Sequence, residues 1–187
     1  NNRVSQDAVP RSSPVLYNVT LVGRAPDSSD PGEGTSRGMV FQVGTAGTIR
    51  NAIVTSFNDW AMYVAGSNSQ ARWNDASLSV RDSIFFKNPT AAFQNVRPPN
   101  VDGGVVADNF DEEMALQAPS LNIRQVDPLL TFATAVTAPV FKPLTDSPAL
   151  TNGGTPPNDG FFDVSATFVG AVGTTDWTPG WTAYPEN

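Results

Sequence analysis

Three segments of this 187-residue chain repeat one pattern, and that repetition constrains its fold more than any other feature. They are Leu16-Tyr17-Asn18-Val19-Thr20-Leu21-Val22, Ile49-Arg50-Asn51-Ala52-Ile53-Val54-Thr55 and Val80-Arg81-Asp82-Ser83-Ile84-Phe85-Phe86. Each sets an apolar residue two places before an Asn or Asp and closes on a short apolar run. Asn18, Asn51 and Asp82 stand 33 and then 31 residues apart, a period at which stacked copies of one structural unit are expected. Between the repeats, Met39 to Val43 and Ala61 to Val64 read as further short strands, bounded by Gly38, Gly44, Gly47 and Gly66. An inward-facing Asn can satisfy its own amide and the neighbouring backbone where the chain bends. The pattern therefore predicts an all-β right-handed parallel β-helix, a solenoid, with one short helix and a C-terminal capping tail. The alternative is an antiparallel sandwich whose Asn residues sit in turns.

The expected organisation is one structural domain in three stretches: coils over 1–100, a short helix and strap over 101–150, and a capping tail over 151–187. The helix is expected at Asn109 to Gln117, with Asn109 as N-cap and Glu112 completing a capping box, and it is the only one the sequence suggests. Asp111, Glu112 and Glu113 then lie where the helix dipole favours negative charge, which accounts for them as exposed first-turn carboxylates; an acid/base pair drawn from the three is the alternative. After Pro119, Val126 to Leu130 and Pro139 to Leu150 are interrupted by proline, which removes a ladder donor and assigns them to edges or straps. Phe161, Phe162, Phe168, Trp177 and Trp181 give the tail an aromatic character suited to covering an open coil end.

Absences narrow the chemistry. The chain has no cysteine, which removes disulfides and thiolate chemistry, and no histidine, which removes Ser-His-Asp triads and imidazole-ligated metals. With 18 acidic and 11 basic residues it carries a net charge of −7 and shows no basic run, which argues against nucleic acid as a partner. No stretch approaches the ~20 apolar residues of a membrane-spanning helix. The opening Asn1-Asn2-Arg3-Val4 has neither an initiator Met nor a signal-peptide core, as expected of a mature form or a fragment.

What remains is carboxylate or hard-cation chemistry. Asp27, Asp30 and Glu33 lie in a loop from Arg24 to Arg37 and are the candidates for Ca²⁺, although their spacing matches no established Ca²⁺ loop. Asp59, Asp75 and Asp82 lie at edges of repeat segments and are the candidates for a groove of acid/base carboxylates, which a glycosidase needs about 5 to 10 Å apart. Trp60, Trp73 and Tyr63 could stack on sugar rings, or serve as packing residues. None of these forms a recognisable constellation, so the sequence assigns no catalytic, cofactor-binding or metal residue and no cofactor.

Arg11 to Gly23, Ser36-Arg37-Gly38-Met39 and Ile49 to Val54 resemble the later coils of a family of bacterial exported parallel β-helix proteins. Asp127-Pro128 taken with Phe141-Lys142-Pro143 and Asp146-Ser147-Pro148-Ala149-Leu150 is similar to the strap that closes many such folds. Val169-Gly170-Ala171-Val172-Gly173 followed by Asp176-Trp177-Thr178-Pro179-Gly180-Trp181 is similar to the family's C-terminal ending. The resemblance spans nearly the whole chain. It implies export to the periplasm, cell surface or medium of a bacterium. It also implies that the chain is about the second half of a larger precursor, with Val4 to Val22 stacking on the missing N-terminal half or on another protein chain. It carries no catalytic residues to transfer. The expected function is a non-catalytic structural, assembly or adhesion module, and the alternative is a polysaccharide-binding or polysaccharide-degrading protein.

Overall fold

The computed structural model describes residues 5–23, 36–58, 60–88, 110–135 and 138–182. The three repeats become stacked parallel strands. β1 (Val15–Val22) pairs with β3 (Gly47–Thr55), and β3 pairs on its other side with β5 (Leu78–Arg81) and β6 (Ile84–Phe86). A second, two-stranded parallel sheet joins β2 (Arg37–Phe41) to β4 (Trp60–Val64).

The repeated Asn or Asp has a backbone cause. Asn18, Asn51 and Asp82 have φ of 55°, 57° and 49°, the left-handed region that Asn and Asp tolerate better than other side chains. Each bends its strand at the same level: Asn18 and Asn51 fall between the Tyr17–Arg50 and Val19–Ala52 pairs. Asn122, at φ 52°, extends the column, because Asp82 N–H donates to Leu121 O and Arg124 N–H to Ser83 O.

Alternation along β3 then fills two cores. Ala52 and Val54 face the second sheet, in one core with Val80 and Phe85 of their own sheet and Phe41, Met62 and Val64 of the other. Ile53 faces outward and joins Ile84, Ala149 and Val169 beneath the C-terminal tail. Buried on both faces, β3 is closed from Asn51 to Thr55, whereas every residue of β1 is half-buried or exposed.

An all-β solenoid is not what forms. The described strands make two small parallel sheets with no closed coil, and two α-helices accompany them. α1 (Gly66–Asn74) stands where no helix was expected, and α2 (Glu112–Leu116) is shorter than the pattern indicated. After β6 the only described strand-like pairings are isolated bridges, Ile84–Arg124 and an antiparallel Phe132–Val140. Two causes are visible. Ser69 is fully buried and its hydroxyl takes the Gly44 N–H at 3.1 Å, which holds α1 by tertiary packing. The prolines after residue 118 break the ladder into 3₁₀ turns at Pro119–Leu121 and Pro148–Leu150. The expected N-cap, Asn109, lies outside the described residues; Asp111 caps α2 by accepting from Met114 N at 2.9 Å.

Candidate functional site

The bend column organises the surface next to β1. Its amides bind the chain's own tail: Asn18 Nδ2 donates to Phe168 O at 2.7 Å, and Asn51 exchanges two bonds with Gly154, donating to its O at 2.8 Å and accepting from its N–H at 2.7 Å. Asn122 Nδ2 donates to Asp82 Oδ1 at 2.9 Å. On the next strand position Thr20 Oγ1 accepts from Ala171 N at 2.8 Å, and Gly170 N–H donates to Asn51 O. Side chains set at one level by the repeat thus tie down residues 152–171. Gly154 runs so close that a Cβ there would lie 2.5 Å from Arg50 Nη2 and 2.6 Å from Asp82 Oδ2.

Asp82, a candidate carboxylate, is consumed by this arrangement. It is buried and ion-paired to Arg50, whose Nε donates to Asp82 Oδ2 at 2.7 Å and whose Nη1 reaches the Tyr17 hydroxyl at 3.3 Å. Burial acts to lower the Arg50 pKa, but the hydrogen bonds to Asp82 and Tyr17 leave it raised. Arg124 lies alongside, its guanidinium donating to Pro148 O at 2.8 Å and Thr151 O at 3.1 Å, and burial lowers its pKa against the pull of Asp82. Asp82 is held by Arg50 and Asn122, and Arg124 spends its donors on the carbonyls of Pro148 and Thr151, so the cluster is a clasp.

The other sequence candidates scatter. Asp75 is exposed beyond α1, at the other end of β5 from Asp82; hydrogen bonds from the Ser77 hydroxyl and N–H depress its pKa, and Arg72 pairs with it at 3.1 Å. Asp59, Asp27, Asp30 and Glu33 lie outside the described residues. Among the described residues no three His, Cys, Asp or Glu side chains are grouped to hold a metal ion. Trp60 is buried against Tyr63 with ring centroids 5.6 Å apart, and Trp73 packs on Phe110 at 6.2 Å.

Glu112 corrects the sequence reading. Asp111 is exposed and Glu113 half-buried as first-turn positions allow, but Glu112 is 2 % exposed and its Oε1 accepts from the buried Val64 N–H at 2.9 Å. It closes the outer edge of β4. A capping pattern predicts an acidic first turn without saying which acid points inward, so the signal was absent from the sequence.

β1 offers the contrasting edge. Among the described residues it pairs only with β3, leaving its other side without a strand. Val15 and Leu16 are 45 % and 44 % exposed. β2 likewise pairs only with β4, on the corresponding side of the second sheet. No described helix is long and apolar enough to cross a membrane. No protein-family model, curated protein or solved structure matches the chain.

Proposed function

We propose that this protein is a non-catalytic structural module of a secreted or cell-surface assembly, and that it works by taking a parallel strand from a partner polypeptide onto β1. The observation that carries this reading is the edge itself: an eight-residue strand in parallel register on one side, with apolar Val15 and Leu16 exposed and no described strand on the other. A parallel edge of this length presents unpaired backbone groups, and strand addition satisfies them while apolar contacts choose the register. The partner is a preceding segment of the same precursor or a separate chain, and in either case it supplies β-forming residues to meet Val15, Tyr17 and Val19. The locked state of Asp82 and the packed positions of Trp60 and Trp73 give the polysaccharide alternatives no support from these residues.

Hydrogen exchange tests the proposal. In the isolated chain, the β1 amides that do not bond to β3 exchange fast. In the protein recovered in its native assembly they are slowed by about 100-fold or more, since each gains a ladder partner. Mass spectrometry of the assembly then separates a covalently continuous partner from a separate chain. Equal exchange of β1 amides in both preparations sinks the proposal.

A further inference from the structure

A cavity opens where the strands of the first sheet end. Thr55 closes β3 and Phe86 closes β6, and the chain turns away after each through a left-handed residue, Ser56 at φ 63° and Lys87 at φ 49°. The loop around Pro128 and Leu129, together with Leu144, forms the facing wall of a partly open cavity of about 280 Å³. That is slightly under the range for drug-sized ligands, so the space fits a smaller molecule.

The lining has three chemistries. Phe86, Pro128, Leu129, Leu130 and Leu144 are apolar. At the inner end, Thr55 and Ser56 are 4 % and 6 % exposed and their hydroxyls are 3.2 Å apart, bonded to one another. One bond between two hydroxyls uses one hydrogen, so this pair, on two residues that line the cavity, keeps one O–H to give. Lys87 and Asp127 supply opposite charges. Lys87 is exposed, lies in no ion pair among the described residues, and has its ammonium 5.9 Å from the Phe86 ring centre. Asp127 is also exposed; its Oδ1 accepts from Leu129 N at 2.8 Å, which fixes the carboxylate and leaves Oδ2 for another donor.

We infer that this cavity binds a small zwitterion with an aliphatic body, that is, a free α-amino acid of the leucine type. Its carboxylate takes the Lys87 ammonium and the spare hydroxyl, its ammonium takes Asp127 Oδ2, and its side chain lies on the leucines and Pro128. A simple carboxylate would meet Asp127 unfavourably, and a simple amine would leave Lys87 and the buried hydroxyl unmatched. The inference is independent of the β1 edge.

The test is an NMR titration of the full chain with L-leucine, 4-methylpentanoate and 3-methylbutylamine at neutral pH. Leucine is expected to shift the amides of Ser56, Lys87 and Leu129 to Thr131 saturably, and to bind more tightly than either single-charge analogue. Lys87→Gln and Asp127→Asn are each expected to weaken leucine by about fivefold, the scale of an exposed charge pair. Lys142→Gln, on a lysine that does not line the cavity, is expected to leave it unchanged. Ala133→Leu, which grows a wall residue into the space, is expected to abolish binding, and if that variant does not fold the two charge variants decide alone. No saturable shift with leucine overturns the inference, as does equal binding of 4-methylpentanoate or an equal effect of Lys142→Gln.

Discussion

The two edges of the first sheet are treated differently by the same chain. At one, β5 and β6 are overlaid by Leu121 to Arg124: Asp82 N–H finds Leu121 O at 2.8 Å and Phe85 N–H finds Arg124 O at 3.0 Å. The second sheet is finished on the corresponding side by a side chain, Glu112, on Val64 N–H. At the other, β1 has apolar residues exposed and no described strand beyond it. A parallel edge can be closed by irregular backbone or a single carboxylate, so the chain has the means to close one. That, among the described residues, it does so on one side only is what makes the β1 side a candidate for assembly.

The largest expected contrast is between matching apolar truncations on the two edges. Ile84→Ala in β6 empties a fully buried position shared with Ile53, Ala149 and Val169, and should cost about 3 to 4 kcal/mol. Leu16→Ala in β1 should cost about 1 kcal/mol or less, because that side chain is already half in water. Denaturant midpoints at unchanged slope read both, and comparable losses would mean that β1 is covered in solution.

Glu112→Ala should follow at about 2 to 3 kcal/mol, since it leaves the buried Val64 N–H without its acceptor. Glu112→Gln keeps an acceptor oxygen and should recover more than half of that loss. Equal losses in the two variants would show that charge, not edge closure, is what the position supplies.

The tail clasp sharpens the comparison further. Asn51→Ala loses both bonds to Gly154 and places a Cβ-bearing residue without a polar side chain at φ 57°, for about 2 kcal/mol. Asn18→Ala, one strand nearer the open edge and at the same bend with φ 55°, loses a single bond of 2.7 Å to Phe168 O and should cost about 1 kcal/mol less. Asn51→Gly relieves the backbone while still losing the bonds, so its difference from Asn51→Ala measures the bend alone. Limited proteolysis within residues 152–171 should rise in the same order.

These elements also show what a sequence can disclose. The Asn18–Asn51–Asp82 column was visible because a left-handed bend recruits Asn or Asp, and stacking makes the bend recur at a near-constant interval. Asn122 adopts the same bend 40 residues after Asp82, and the changed spacing hid it. α1 was hidden for another reason: Gly66-Ser67-Asn68-Ser69-Gln70 has no apolar stripe, and the helix is held by buried Ser69 and by Trp73 on Phe110. The closed solenoid was an extrapolation from the column to the whole chain, and it failed where α1 and the prolines replace strands. Of the candidate site, the carboxylates were legible as residue types, but burial and partners, which decide whether Asp82 reacts or clasps, depend on residues 32 and 40 positions away, Arg50 and Asn122.

The smallest expected effect concerns acid. Asp163 and Asp176 each accept from a hydroxyl and an N–H two residues on, from Ser165 and Thr178 respectively, and these hydrogen bonds depress both pKa values below the ordinary 3.8. A carboxylate whose folded pKa is depressed adds stability above its unfolded value and loses it as pH falls through the folded value. Acid below pH ~4 should therefore loosen the tail turns while the bonds from the Asn18 and Asn51 amides to the tail, which carry no charge, persist. Amide shifts of Ser165 and Thr178 should titrate with midpoints under 3.8 while the Gly154 amide stays unchanged over the same range. If the Gly154 amide moved together with them, the tail would be held by its charged turns, and the neutral amides of Asn18 and Asn51 would not be what ties it down.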